Sequence, residues 1–248
     1  MQILWLDSRS EFTGEALVGA LADLGVSPST FEWELSGIEL GDHHHHLHFD
    51  REETGDTRAV HFGVHGGILH ADHGHSSEPD HDHIPADHIP YPQLRTQIET
   101  AKVPDFVKSH SLGILHRIAS AQSELVETPL DQIEFPESDA LEWLVTAVLS
   151  CIGLDQLKVR QIYFQQTSRL QPAERQPTYV TLSRAIFSGA SINEQIAATP
   201  LGAAILAEFG AILASPPELK SVKTGYGSGP EVDQGKTSFI RVTLGEVE

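Results

Sequence analysis

Thirteen of the chain's fifteen histidines fall between positions 43 and 88: His43, His44, His45, His46, His48, His61, His65, His70, His73, His75, His81, His83 and His88. Asp42, Asp72, Asp80, Asp82 and Asp87 are interleaved with them. Neutral imidazole is a borderline ligand that suits nickel, zinc, copper and cobalt, and carboxylates add harder oxygens. The segment therefore points to a late first-row metal ion, although composition alone separates nickel only weakly from zinc or copper. In a flexible loop, His73-x-His75 and His81-x-His83 can each chelate one ion; in an extended strand, His44, His46 and His48 share one face. The single cysteine, Cys151, sits in an apolar run as a small hydrophobe, which excludes both a thiolate zinc finger and an internal disulfide. Two other readings of the histidines stay open. One is a solvated low-complexity tract. The other is a pH switch, because imidazoles titrate near pH ~6.5.

Other groups with chemical potential are sparser. Asp7 closes an apolar strand, and Ser8, Ser10, Thr13 and Glu15 follow it. Their oxygens could hold a divalent ion or orient a phosphate at a helix start, or they could cap and solvate the turn. Glu137, Asp139 and Glu142 open a helix, where acids complement the dipole and Glu137 could also bind metal. Gly225-Tyr226-Gly227-Ser228-Gly229 follows a strand, but it neither opens a helix as a dinucleotide-binding loop would nor carries a P-loop lysine. A tight hairpin turn is expected there. No Ser-His-Asp set and no HExxH stands out.

The elements that must position these groups read as an α/β (α+β mixed) protein, with a strand–loop–helix opening and helices packed on mixed sheets. Residues 2–7 form a buried strand, and the stripe Ala16, Leu17, Ala20, Leu21 and Leu24 marks a helix stopped by Gly25. Strands are expected at 38–49, 57–66 and 156–164. Helices are expected at 29–35, 93–101, 105–125, 138–152, 180–187 and 200–213. A terminal hairpin should join 219–226 to 238–244. Residues 67–90, rich in His, Asp, Gly and Pro, read as a mobile loop with little fixed structure in the absence of metal. Residues 1–165 are expected to form one domain carrying that loop, and 166–248 a smaller α+β unit. The 248 residues are 40% hydrophobic and 21% charged, enough for a sizeable core. The formal net charge of -19 disfavours nucleic acid and anionic membranes as partners and favours a cation. The opening residues lack a basic signal-peptide region and no apolar run reaches about eighteen residues, so a cytoplasmic protein is expected.

The motif order resembles the LarC family, the nickel-insertion proteins of nickel-pincer cofactor biosynthesis. The opening LDSRSEFTGEALVGALADLGV resembles that family's strand, its DCFSGISGDM and its helix ending in LG. Asp7, Ser10 and Gly14 match, while Ser8, Glu11 and Glu15 stand where the family has Cys, Gly and Asp. Residues 133–142, IEFPESDALE, resemble HFHEVGAVD: Phe135, Glu137 and Ala140 match, Glu142 replaces Asp and Pro136 replaces His. TPLGAA at 199–204 resembles TPTGAA, and GYGSG at 225–229 resembles GYGAG. The loop after Gln165 lacks the family's SPLPLGSG and AHG, and Thr146 stands where an Asp is expected.

The resemblance implies insertion of nickel into pyridinium-3,5-bisthiocarboxylic acid mononucleotide, forming one nickel–carbon and two nickel–sulfur bonds. CTP would be consumed with manganese or magnesium. It implies catalytic or metal-positioning roles for Asp7, Glu137 and Glu142, and contact with the precursor at Ser10, Thr13 and Gly14. Family members continue into a C-terminal nucleotide-binding domain, so a partner domain or a homo-oligomer is expected. The alternative is a non-catalytic nickel chaperone or store of the same fold. Calorimetric titration should show several nickel ions bound to the chain and most of that capacity lost when residues 67–90 are deleted. Binding no tighter than about millimolar would leave the histidines a solvated tract.

Overall fold

A computed structural model describes residues 1–8, 10–40, 44–54, 57–67, 88–166, 177–190, 196–212, 214, 218–233 and 236–247. Its centre is a six-stranded mixed sheet in the order β2-β3-β7-β8-β1-β6. The strands are β1 (Gln2–Ser8), β2 (His44–Thr54), β3 (Thr57–Gly67), β6 (Gln161–Gln166), β7 (Lys220–Asp233) and β8 (Lys236–Glu246). β1 runs parallel to β6 and antiparallel to β8, β3 runs parallel to β7, and β2–β3 and β7–β8 are antiparallel pairs. The helices are α1 (Gly14–Asp23), α2 (Pro28–Leu35), α3 (Tyr91–Thr100), α4 (Asp105–Val126), α5 (Glu137–Gln156), α6 (Pro177–Gly189) and α7 (Pro200–Glu208). A two-stranded ribbon pairs β4 (His88–Pro90) with β5 (Glu134–Pro136). The mixed α/β class expected from the sequence is the class observed.

Local chemistry explains the first helix. The Thr13 hydroxyl caps α1 by accepting a hydrogen bond from Ala16 N at 3.1 Å. Gly25, at φ +112°, reverses the chain after it, a conformation that disfavours any residue with a Cβ. Every residue from Gly14 to Leu21 is buried. A helix hidden on all sides needs partners all round. Here the sheet lies on one side, and α5 lies on the other, where a Cβ at Gly153 would come 2.7 Å from Leu21 Cδ1.

The sheet side of this contact corrects one expectation. Gly225–Gly229 is not a turn, because β7 continues through it to Asp233. Its glycines let α1 rest directly on the sheet backbone. A Cβ at Gly225 would lie 2.7 Å from the Ala20 carbonyl oxygen, and one at Gly227 would lie 2.5 Å from Ala20 N and closer still to the Ala16 carbonyl. Gly19 meets the Val60 carbonyl of β3 in the same way. The absence of side chains is thus a packing requirement, which a local reading confuses with turn chemistry.

Other boundaries moved. β2 begins at His44 rather than 38, and β6 begins at Gln161 because α5 runs on to Gln156. Of the loop expected at 67–90, Gly67 belongs to β3 and His88–Pro90 form β4; residues 68–87 lie outside the described residues. Helix α7 stops at Glu208, short of the expected 213, and Gly210 follows at φ +54°. Glu208 joins α7 to α4, accepting from Arg117 Nε at 3.0 Å and contacting His110 Nδ1 at 3.0 Å. Among the described residues no helix is long and apolar enough to cross a membrane.

Substituting Gly227→Ala should lower the unfolding free energy by roughly 1–3 kcal/mol or more, because backbone rather than a flexible side chain must yield. Gly189→Ala, where a Cβ meets nothing within 4 Å, should stay within about 0.5 kcal/mol of the parent. Chemical denaturation of the two variants measures both.

Candidate functional site

Two connections run side by side at one end of the sheet. The segment leaving β1 pairs with the segment entering α7: Phe12 N donates to Ala197 O at 2.9 Å, and Thr199 N donates to Phe12 O at 3.0 Å. The Gln166 amide, at the end of β6, clamps both strands of this junction. Its Nε2 donates to the carbonyls of Ser10 (3.1 Å) and Ala197 (3.2 Å), and its Oε1 accepts from Ala197 N at 3.0 Å. The starts of α1 and α7 are thereby brought together, each capped by a threonine; the Thr199 hydroxyl accepts from Gly202 N at 3.1 Å. Their closeness again depends on glycine. A Cβ at Gly202 would lie 2.5 Å from Phe12 O, and one at Gly14 would lie 2.9 Å from both Leu201 Cδ2 and Thr146 Cγ2.

Beside this junction opens a cleft of about 190 Å³. Helix α1 contributes Glu15, α5 contributes Asp139, Glu142 and Trp143, and α6 contributes Tyr179. Thr199, Pro200 and Leu201 at the start of α7, with Pro230 of β7, are its other described lining residues. The cleft is acidic. Asp139 and Glu142 stand one turn apart on the same side of α5. Asp139 Oδ2 accepts a short hydrogen bond from the Tyr179 hydroxyl. Trp143 is held edge-on to Phe135, with ring centroids 5.3 Å apart. Glu15 is 7% exposed and makes no hydrogen bond or ion pair to another described residue. Among the described residues no three histidine, cysteine or carboxylate groups lie close enough to hold one metal ion.

Of the residues singled out in the sequence, Glu15, Asp139 and Glu142 line the cleft, and Asp7, Ser10, Thr13, Gly14 and Glu137 are not among its described lining residues. Asp7, 5% exposed, is ion-paired with Arg241 of β8 at 2.6 Å, and the guanidinium lies 5.6 Å from the Trp5 ring centroid. Ser10 Oγ bridges to Phe239, accepting from its N–H at 2.6 Å. Thr13 is the cap of α1, and Gly14 supplies clearance between α1, α5 and α7. Trp143 and Tyr179 were not among the sequence candidates; Glu15 was noted there only as one of the oxygens after Asp7, and Asp139 only as an acid complementing the helix dipole. The Asp139-x-x-Glu142 spacing was the available signal that these two acids share one side of a helix. Nothing local marks Tyr179.

The histidines take a different place. Along β2, His44, His46 and His48 occupy alternate positions, with His46 opposite His65 and Asp50 opposite His61 in β3. The intervening Phe49 stacks on Phe31 of α2 at 5.4 Å, so His46 and His48, both exposed, are on the opposite face. His61 is half-buried, with Nδ1 3.9 Å from Glu52 Oε2. For His44, His45 and His65 only strand position is described, and His43, His70, His73, His75, His81 and His83 lie outside the described residues. Cys151 is fully buried, and burial pushes its thiol up to about 12, so it supplies no thiolate near neutrality.

A family model described as nickel insertion protein matches residues 4–248. The chain belongs to the nickel insertion protein family. A putative nickel insertion protein of Citrifermentans bemidjiense is 28% identical over 99% of this chain and 62% of its own length. Pyridinium-3,5-bisthiocarboxylic acid mononucleotide nickel insertion proteins of Desulfitobacterium hafniense and Lactiplantibacillus plantarum are 25% and 28% identical, over 100% and 99% of this chain. Those two alignments cover 59% and 62% of the relatives, so the chain spans about three-fifths of the length of the curated proteins it matches. No solved structure matches. The family membership expected from the spaced motifs is therefore established, and those motifs fall at the α1 start, the α5 start, the α7 start and the glycine-rich stretch of β7.

The Asp7–Arg241 pair separates a structural from a chemical role for Asp7. Asp7→Asn should cost about 1–3 kcal/mol, since it leaves a charged partner of an otherwise buried group unpaired. A double-mutant cycle with Arg241→Gln, read by denaturation, should return a coupling of about 1 kcal/mol; additive effects would show that the pair contributes nothing.

Proposed function

We propose that this chain carries out nickel insertion into pyridinium-3,5-bisthiocarboxylic acid mononucleotide, with nickel gathered by the histidine-rich segment. The observation that supports this reading most directly is the acidic cleft where α1, α5, α6 and α7 meet. Carboxylates suit a divalent cation in transit, because they bind nickel through hard oxygens and compete weakly with softer donors. The precursor's thiocarboxylate sulfurs are softer, so transfer from oxygen or imidazole to sulfur runs in the favourable direction. The overall charge of -19 adds to this by concentrating cations around the molecule. The same field opposes a phosphorylated, thiocarboxylated precursor, and a bound nickel ion offsets that repulsion inside the cleft.

The residues divide the work. The exposed histidines of β2 and the segment that follows β3 collect the ion; Asp139 and Glu142 receive it. Tyr179 holds the Asp139 carboxylate by a hydrogen bond, and Trp143, Pro200 and Leu201 give the cleft an apolar part suited to an aromatic ring. CTP with manganese or magnesium would be handled by a C-terminal nucleotide-binding domain or through homo-oligomerisation. The setting is cytoplasmic, where nickel and CTP are both at hand.

The purified protein together with a C-terminal nucleotide-binding partner domain, given nickel, the precursor, CTP and magnesium, should yield a nickel-containing product detectable by mass spectrometry. Asp139→Asn combined with Glu142→Gln should reduce its formation at least about tenfold, a loss of about 1.4 kcal/mol of transition-state stabilisation, while nickel uptake by the histidine segment is unchanged. A complex of the parent chain with that partner that binds nickel but never metallates the precursor would instead favour a nickel chaperone or store.

A further inference from the structure

The nickel-insertion reading leaves one chemical requirement without a residue. A nickel–carbon bond at a pyridinium ring flanked by substituents at positions 3 and 5 forms at the carbon between them. That carbon carries hydrogen. When the bond forms, the C–H electron pair becomes the nickel–carbon bond, nickel remains divalent, nothing is oxidised or reduced, and one proton must leave. A group beside the ring has to accept that proton.

We infer that Glu15 is this base, an assignment that rests on the function proposed above. Three observations separate Glu15 from the other acids. First, it is 7% exposed and lines the cleft, yet it has no hydrogen bond or ion pair to another described residue, whereas Asp139 accepts from Tyr179 and Asp7 is held by Arg241. Its carboxylate opens to the cleft with no neighbouring donor or cation committing it to a structural role. Second, Glu15 comes from α1 while Asp139 and Glu142 share α5, and no three such groups among the described residues can hold one ion. The cleft therefore does not spend all its carboxylates as ligands of one metal; it has the composition of a two-residue metal wall and a separate acceptor. Third, among the described residues no histidine lines the cleft, and the rest of the described wall is Trp143, Tyr179, Thr199, the two prolines and Leu201. Among the described lining residues, Glu15 is the carboxylate left to accept the proton, and the capped first turn of α1 holds it in place.

The test compares the parent protein with Glu15→Gln, Glu15→Asp and Glu15→Ala, each with the C-terminal nucleotide-binding partner domain, nickel, precursor, CTP and magnesium. Glu15→Gln is expected to lower turnover about 100-fold or more, with nickel and precursor affinities within about threefold of the parent. Glu15→Asp should retain more activity than Glu15→Gln, and added formate should restore part of the Glu15→Ala rate. Precursor deuterated at the metallated carbon should show a larger isotope effect in Glu15→Gln than in the parent. Glu15→Gln turnover above about a third of the parent's, or a loss matched by equal loss of nickel binding, would overturn the assignment. A Glu15→Ala protein that binds both substrates but gains nothing from formate would also count against it. A parent protein that makes no product sinks the nickel-insertion reading and the base with it; an active parent with an active Glu15→Gln sinks the base alone.

Discussion

The contact on which the rest of the molecule depends is backbone against backbone. Helix α1 lies on β3 and β7 with Gly19, Gly225 and Gly227 at the points of approach, where even a methyl group would strike a carbonyl or amide. Such proximity has two effects. It allows α1 to be buried on every side, between the sheet and α5, with dispersion contacts at short range around its whole circumference. It also locates the start of α1 to within the tolerance of packed backbone rather than of flexible side chains. Because Thr13 and Glu15 belong to that first turn, the geometry of the cleft descends from three glycines on its far side.

A second constraint acts just before the start of α1. The junction between residues 10–12 and 197–199 is a short backbone ladder reinforced by the Gln166 amide, which satisfies polar groups on both segments at once. It aligns the starts of α1 and α7, and α5 packs across both. Positive helix ends gathered in one place favour negative charge. The carboxylates Glu15, Asp139 and Glu142 are therefore tolerated as neighbours around a small cleft in a protein that is already strongly acidic. Asp7, only a few residues away in sequence, is removed from that group by Arg241.

The histidines and the carboxylates occupy different surfaces. Strand alternation puts His46 and His48 on the face of β2 turned away from the helices, while Leu47 and Phe49 join the core. The cleft lies within the helical layer. Capture of a metal ion at an exposed, polar strand edge and its use in a confined site are thus compatible with separate parts of one fold, and neither demands thiolate chemistry from the sealed Cys151.

Local order is what the sequence by itself determined. The opening strand, the α1 stripe closed by Gly25, the helices at the 105 and 138 regions and the mixed α/β class all follow from periodicity and capping, which act over a few residues. The spaced motifs also carried the family. Tertiary structure alone decided the rest. Gly225–Gly229 carries the composition of a turn, and only the approach of α1 shows why a strand there must lack side chains. Asp7 has the placement of a ligand, and only the register of β1 against β8 gives it to Arg241. Glu15, Asp139, Trp143, Tyr179 and Thr199 come from four helices and their caps, up to 184 positions apart by number (199 less 15). No short window of sequence contains two walls of that cleft, because side chains distant along the chain become neighbours only when the apolar surfaces between them are buried together.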